Sequence, residues 1–220
     1  MKKLVVASNN PGKLREFSQL LAALDVEVLP QADFNIPEVE EPHHTFVENA
    51  LLKARHAARL SGLPALADDS GLCVEALGGA PGIYSARYGG EPTSDARNNA
   101  RLLAELAGQD NRRAHYVCVL VLMRHADDPQ PIVVEGEWHG EILTVPRGEA
   151  GFGYDPLFLV PGFGCSSAEL TAEQKNAISH RGKALQLLIA RLVPEVVSGV
   201  LGVSHVESQG RRSELARDEP

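Results

Sequence analysis

Residues 1–17, MKKLVVASNNPGKLREF, combine an apolar strand, a tight loop and an amphipathic helix in that order. Leu4 to Ala7 form a short apolar run that predicts a buried strand. From Leu14 onward, apolar residues recur at the spacing of one helix face. The residues on this face are Leu14, Phe17, Leu20, Leu21 and Leu24. A strand that leads through a short loop into such a helix favours an α/β fold.

The loop between strand and helix is SNNPGK, and its composition suits an anion. Pro11 and Gly12 predict the turn, and Lys13 brings a cation to the helix start, where backbone N–H groups lack helical partners. The upstream side chains Ser8, Asn9 and Asn10 add donors, and phosphate is the expected anion. An ordinary turn with a solvated lysine is the alternative. A Walker-type loop is disfavoured, because Ala7 and Leu14 stand where that motif has Gly and Ser/Thr.

Composition limits the classes of partner. The chain has 220 residues, of which 44% are hydrophobic, and a net charge of −8, which opposes binding to nucleic-acid polymers and anionic membranes. A single nucleotide remains compatible, since a local cationic pocket outweighs the global charge. The cysteines Cys73, Cys118 and Cys165 are odd in number and widely spaced, which predicts reduced thiols. Without an apparent signal or membrane segment, we expect a soluble cytoplasmic protein.

The remaining pattern predicts a mixed sheet with flanking helices. Thr45 and Glu48 form a capping box for a helix that ends at Gly62, and a second box at Thr171 and Gln174 begins a helix that stops at Pro194. Other predicted elements are strands at 26–30, 114–124 and 132–143, a helix at 97–106, and Gly-rich loops at 78–90 and 148–158. Residues 64–77 predict a strand that runs into two adjacent carboxylates and a turn. We expect one domain over residues 1–198 and a flexible tail without chemistry at 199–220.

Two adjacent carboxylates, Asp68 and Asp69, are expected at the end of an apolar strand, where α/β proteins place ligands. Such a pair repels itself unless a cation intervenes, and hard oxygen ligands favour Mg²⁺. Glu38, Glu40 or Glu41, in the acidic loop before the helix that begins at Thr45, would complete the metal site. A solvated Asp-Asp-Ser-Gly turn is the alternative.

Two further groups have candidate functional side chains. Asn49 and Lys53 share a helix face and could hold a phosphate oxygen opposite the metal. The second group combines an aromatic Gly-rich loop with a basic helix: Phe152, Gly153, Tyr154, Asp155, Lys175, His180 and Arg181. Its aromatic rings could stack on a base, Asp155 could accept from that base, and its cations could contact phosphate or the base edge. For each group, an ordinary charged surface is the alternative.

In their order along the chain, six motifs resemble the Ham1-like inosine/xanthosine triphosphate pyrophosphatase family. They are SNNPGK, TFVENALLKA, ADDSGL, LGGAPGIYSARY, GFGYDPLF and KNAISHRGKAL, within a match of roughly residues 2–195. The resemblance implies a Mg²⁺-dependent homodimer with two lobes and an active site in the cleft between them. It implies hydrolysis of deaminated purine nucleoside triphosphates to the monophosphate and pyrophosphate.

The resemblance also implies residue roles. Asp69 corresponds to the catalytic carboxylate and metal ligand, with Asp68, Glu40 and Glu41 as further candidate ligands. The implied substrate contacts are Ser8 to Lys13, Lys53, Ser70, Phe152 to Asp155, Lys175, His180 and Arg181. Ser8-Asn9 replaces a Thr-Gly pair common in the family. A nucleotide-binding regulator without turnover is an alternative, but it leaves the paired acids beside a polyphosphate unexplained.

Overall fold

The computed structural model describes residues 2–22 and 26–192 of the chain. The strands in this part are β1 (Lys3–Val6), β2 (Glu27–Pro30), β3 (Ala65–Val74), β4 (Arg113–Met123), β5 (Ile132–Ile142), β6 (Phe158–Val160) and β7 (Cys165–Ser166). The α-helices are α1 (Pro11–Leu21), α2 (Phe46–Ser61), α3 (Asp95–Glu105), α4 (Ala172–Ile178) and α5 (His180–Leu192).

The strands form one mixed sheet in the order β2-β1-β3-β4-β5-β6-β7. β1 pairs in parallel with both β2 and β3, whereas every later neighbour pairs in antiparallel fashion. The parallel connections contain helices, as a parallel crossover requires. The predicted mixed α/β sheet is therefore confirmed.

Three hydrophobic clusters flank the sheet and create two lobes. In the first lobe, alternate residues of β3 point to opposite faces, so Ala67 packs under α2 while Leu66 packs under α1 and α5. In the second lobe, the far ends of β3, β4 and β5 pack against α3 and β6, around residues such as Leu72 and Leu102. Strand β3 thus runs from one lobe into the other, in agreement with the two-lobed expectation.

Helix α1 begins at Pro11, three residues before the apolar periodicity starts at Leu14. The cause is a cap: the Oδ1 atom of Asn10 accepts hydrogen bonds from the N–H groups of Gly12 (2.8 Å) and Lys13 (3.1 Å). These two helix-start N–H groups are therefore already paired, in contrast to the free amides expected from the sequence.

The single helix predicted from Thr171 onward is wrong, because Ser179 breaks it into α4 and α5. Ser179 is extended (φ −69°, ψ 162°), and its Oγ atom accepts from the N–H of Gly182 at 3.1 Å. The backbone packs so closely here that a Cβ on Gly182 would lie 1.9 Å from the carbonyl oxygen of Asn176. The break turns His180 and Arg181 into the first residues of a new helix.

Other expectations concern the short strands, the cysteines, membrane-spanning helices and the C-terminal tail. Strands β6 and β7 were not predicted, because segments of three and two residues have too little periodicity to detect. The three cysteines are free thiols. No helix within residues 2–22 and 26–192 has the length and apolar character needed to span a membrane. The tail predicted at 199–220 and the stop at Pro194 lie outside the described residues.

Candidate active site

Asp68 and Asp69 lie in the middle of β3 and not at its end, which corrects the expected position. Both carboxylates are buried. Because consecutive residues of a strand point to opposite faces of the sheet, the two side chains separate instead of forming one acidic pair. Asp69 faces α2, and Asp68 faces α1 and α5.

Asp69 is held through only one of its oxygens. Lys53 Nζ, on α2, lies 2.8 Å from Oδ1, whereas the buried Oδ2 atom has no hydrogen-bond partner among the described residues. Burial raises the pKa of Asp69 to about 6, against the opposing effect of Lys53. A buried carboxylate oxygen without a partner is costly, and native proteins keep such atoms where a ligand or ion completes them.

The acidic loop supplies one glutamate to this group. Glu41 Oε1 lies 3.0 Å from Lys53 Nζ, so Lys53 bridges Glu41 and Asp69. By contrast, Glu40 is exposed, and Glu38 accepts a hydrogen bond from Asn9 Nδ2 at 2.8 Å. Of the three glutamates considered, Glu41 is therefore the one placed beside Asp69.

Asp69 and Glu41 fit a magnesium ion that takes part of its coordination from a substrate. Among the described residues, no three His, Cys, Asp or Glu side chains come close enough together to hold a metal. Mg²⁺ is commonly bound through one or two carboxylates, with water and substrate phosphates completing its octahedron. Two carboxylates near one another, as Asp69 and Glu41 are on either side of Lys53, suit an ion of this kind.

Asp68 has no free oxygen for a metal, so the geometry opposes the metal role considered for it. Lys13 Nζ and Arg181 Nε (3.2 Å) donate to its carboxylate, and the hydroxyl of Ser70 contacts both oxygens. The thiol of Cys118 adds a fourth contact at 3.2 Å. Burial alone would raise the pKa of Asp68, but Lys13 and Arg181 hold it well below its usual value.

A polar pocket, which we call the lysine pocket, lies between the SNNPGK segment, the acidic loop and α2. The predicted site residues on its wall are Ser8, Asn9, Asn10, Lys13, Glu38, Glu41, Lys53 and Asp68. Lys13 and Lys53 thus reach one space from two helices. Pro11 and Gly12 are absent from this wall.

A second pocket, the aromatic pocket, lies on the other side of Lys13 and Asn10, which line both spaces. Its wall gathers Ser70, Phe152, Gly153, Tyr154, Asp155, Lys175, His180 and Arg181. These residues are spread over more than a hundred positions of sequence, and the structure brings all of them together.

Asp155 fixes the loop and is not free to accept from a ligand, in contrast to its predicted role. Its Oδ2 atom accepts from Lys175 Nζ (2.7 Å) and the N–H of Phe152 (2.9 Å), and its Oδ1 atom accepts from Ser167 Oγ (2.9 Å). Lys175 lines the aromatic pocket but not the lysine pocket. Lys175 therefore shares a pocket with Lys13 but not with Lys53.

The aromatic side chains differ in their freedom. Tyr154 is buried, and its hydroxyl donates to the carbonyl of Ser85 at 2.8 Å, so it forms a fixed wall. The half-buried ring of Phe152 lies 4.8 Å from Lys175 Nζ and touches the α1 start so closely that a Cβ on Gly12 would meet it at 2.8 Å. Gly12 thus serves the packing of Phe152.

His180 forms the floor of the aromatic pocket in a neutral state. Its ring stacks on Tyr116 with centroids 4.6 Å apart, and its buried Nδ1 has no partner among the described residues. Burial, with Arg181 adding to it, holds the pKa of His180 well below its usual value. Neutral imidazole has one donor and one acceptor nitrogen.

Sequence reasoning missed residues that support the site from other elements. Glu16 on α1 accepts from Arg181 Nη1 and lies 3.4 Å from Lys175 Nζ. On α3, Asp95 accepts from the N–H of Gly153 (2.7 Å) and Asn99 donates to its carbonyl (2.8 Å). On helices rich in charge, these side chains have no sequence signal that separates them from solvated ones.

Comparisons with known proteins identify the family of this chain. The sequence profile of the Ham1 family matches residues 4–191. The chain is 65% identical over 195 residues to a dITP/XTP pyrophosphatase of Ralstonia nicotianae, and this alignment covers 87% of this chain and 97% of that protein. It is 66% identical over 190 residues to a dITP/XTP pyrophosphatase of Chromobacterium violaceum, and this alignment covers 86% of this chain and 96% of that protein.

A solved structure gives the same result for the fold. The Ham1 protein from Coxiella burnetii superimposes with a TM-score of 0.82 at 49% identity, over 87% of this chain and 98% of that one. The profile match, the sequence relatives and the shared fold all extend over nearly the whole described part of the chain. The chain therefore belongs to the Ham1 family.

Proposed function

We propose that this protein hydrolyses deaminated purine nucleoside triphosphates, namely dITP, ITP, dXTP and XTP, to the monophosphate and pyrophosphate. One observation carries the proposal: the lysine pocket and the aromatic pocket meet at Lys13 and Asn10. A cationic space joined to an aromatic one suits the two ends of a nucleotide. The substrate class follows the relatives of this chain, which are dITP/XTP pyrophosphatases.

In this proposal Asp69 acts as the base. Lys53 holds Oδ1, so the unpaired Oδ2 is the atom available to accept a proton from water as the water attacks the α-phosphorus. Lys13 and Lys53 neutralise the polyphosphate and the departing pyrophosphate. Catalysis of this kind depends on positioning and charge, because no covalent intermediate is needed.

Asp69 and Glu41 are the residues that would hold Mg²⁺, whereas Glu40 and Asp68 are not placed to do so. When bound, the ion supplies charge neutralisation at phosphate oxygens. Lys53 lies between the two carboxylates, and its interactions with Asp69 and Glu41 raise its pKa although burial alone would lower it. The protein thus presents a persistent cation where the polyphosphate is to lie.

Selectivity would arise in the aromatic pocket. Lys175 and Arg181 present cationic donors there, and Phe152 offers a ring for stacking. A 6-oxo purine accepts from such donors, whereas the 6-amino group of adenine and the 2-amino group of guanine each oppose a donor with a donor. Buried groups left unpaired in this way support roughly 10⁴-fold discrimination.

The test is to identify the product released from dITP with Mg²⁺. We expect pyrophosphate and dIMP with multiple turnovers, and loss of activity when the metal is chelated. Orthophosphate as the product, or binding of dITP without turnover, would contradict the proposal, and the second outcome would favour the regulator alternative. The Asp69→Asn variant is the matched control for a contaminating hydrolase.

The assembly and location proposed for the protein are a homodimer in the cytoplasm, as in the family it resembles. The oligomeric state is checked by sedimentation of the purified full chain, with a mass near twice 23.6 kDa expected. A monomer at micromolar concentration would contradict the dimer and leave the chemistry of the site unaffected.

A further inference from the structure

We propose that Asp68 is a positioning residue that orients Lys13 and Arg181 together, and so ties the polyphosphate end of the site to the base end. The inference deepens the proposed function and rests on it. Asp68 touches neither water nor metal in this scheme. It acts through the two cations that do face the substrate.

The first support is the set of contacts on Asp68. Lys13 arrives from the start of α1 and Arg181 from the start of α5, and both donate to the same buried carboxylate. The thiol of Cys118 contacts it from β4. Donors from three separate elements converge on one residue in the middle of β3.

The second support is the way Ser70 couples Asp68 to Arg181. The Ser70 hydroxyl contacts Asp68 Oδ2 at 3.0 Å and accepts from Arg181 Nη2 at 3.1 Å. Arg181 Nε also donates to Asp68 directly. Two neighbouring N–H groups of the planar guanidinium are thus fixed, which sets the orientation of its plane.

The third support is the position of Lys13 and Arg181 relative to the two pockets. Lys13 lines both the lysine pocket and the aromatic pocket, whereas Arg181 lines the aromatic one. A buried anion beside a polyphosphate site weakens the attraction for the ligand. Asp68 therefore weakens the binding of the polyphosphate while it fixes the orientation of Lys13 and Arg181. Removing its charge should strengthen the affinity for the ligand and lower the turnover rate.

The experiment uses Asp68→Asn, which keeps the shape and removes the charge. We expect kcat for dITP to fall about 10- to 100-fold, because Lys13 and Arg181 lose their common anchor. We expect the affinity for inorganic tripolyphosphate, measured by calorimetry without metal, to tighten about 3- to 10-fold. The ratio of kcat/KM between dITP and dGTP should shrink. A purely structural residue would change the melting temperature alone.

Cys118→Ala is the matched control, because Cys118 contacts Asp68 but lines neither pocket. It should lower the melting temperature slightly and leave the tripolyphosphate affinity and the dITP to dGTP ratio within two-fold of wild type. If Asp68→Asn behaved in the same way, the proposal would be overturned.

A second pair of variants covers the case in which Asp68→Asn alone does not fold, because it leaves buried cations without their anion. The double variant Lys13→Met/Asp68→Asn removes one charge of each sign and is compared with Lys13→Met. In the Lys13→Met background, Asp68→Asn should lower kcat for dITP less than 10-fold, because one of the two cations that Asp68 orients is already gone. The full loss in that background would show that Asp68 does not act through Lys13, and would overturn the proposal. The tripolyphosphate affinity should still tighten, because the repulsion between Asp68 and the ligand does not pass through Lys13. This second readout needs no turnover, so its failure is distinct from a failure of the proposed pyrophosphatase activity.

Discussion

The neighbouring carboxylates Asp68 and Asp69 have opposite environments on the two faces of β3. On the face toward α1 and α5, Asp68 is saturated by Lys13, Arg181, Ser70 and Cys118. On the face toward α2, Asp69 has one paired and one unpaired oxygen. The first arrangement holds cations in place, and the second leaves an atom ready for chemistry. The sign of the pKa displacement follows the same division, low for Asp68 and high for Asp69.

The largest expected effect tests the Asp69 face. Asp69→Asn removes the proton acceptor and a metal ligand, so turnover of dITP should fall about 10²- to 10⁴-fold. Because Lys53 keeps its ion pair with Glu41 in this variant, the melting temperature should change little. Activity and thermal unfolding measured on the same preparation check both statements. Near wild-type turnover would remove Asp69 from the mechanism and with it the contrast between the two faces.

A second, smaller effect compares the two cations on Asp68. Lys13→Ala should lower kcat/KM about 10- to 100-fold for inosine and guanosine triphosphates alike, because Lys13 faces the polyphosphate. Arg181→Ala should instead change the ratio between these substrates, because Arg181 lines the aromatic pocket and not the lysine pocket. Steady-state kinetics with both substrates separates the roles. If Lys13→Ala altered base preference more than Arg181→Ala, the assignment of the pockets would be reversed.

A third effect is expected at the contact between α1 and the aromatic pocket. In Gly12→Ala the added Cβ would lie 2.8 Å from the Phe152 ring, so the ring must shift. We expect KM for dITP to rise about 3- to 10-fold while the affinity for tripolyphosphate is retained, since Gly12 is absent from the wall of the lysine pocket. Ser18→Ala, on the exposed side of α1, is the control. Loss of tripolyphosphate binding would place Gly12 on the phosphate side after all.

The smallest effect compares the helix caps that serve the two faces. Ser179 caps α5 next to Arg181, and Thr45 caps α2 two turns before Lys53. Replacing either by Ala should cost about 1 kcal/mol of stability, a shift of roughly 2–4 °C in Tm. Only Ser179→Ala should also change the ratio of kcat/KM between dITP and dGTP, by about two-fold. Ser179 directly precedes His180 and Arg181, which line the aromatic pocket, so loss of its cap loosens their backbone. Equal ratios in both variants would show that the cap does not position Arg181.

The elements that could be predicted are those with local signals. The helix cap at Thr45, the capping box at Thr171, the alternation in β5 and the apolar run in β4 agree with the structure. At Thr45 the Glu48 side chain accepts from the Thr45 hydroxyl, so the reciprocal half of the predicted box is not formed. Local pattern failed at Ser179, where a close backbone approach splits an otherwise regular helical pattern into two helices. It also failed at Asp68 and Asp69, where Asp-Asp-Ser-Gly resembles a turn yet continues a ten-residue strand. Pairing with β4 along the whole of β3 overrides the weak local preference there.

The sequence by itself determined the α/β class, the family resemblance and the candidate side chains, because periodicity, capping and motif order are properties of short stretches. The tertiary structure alone decided how those side chains are used. It placed Asp68 and Asp69 on opposite faces, gave Glu41 the place beside Lys53, and moved Lys175 and Asp155 to the aromatic pocket. These outcomes depend on contacts between residues far apart in the sequence, such as Arg181 and Asp68, which are 113 positions apart. No local pattern encodes which distant partner occupies a given carboxylate oxygen.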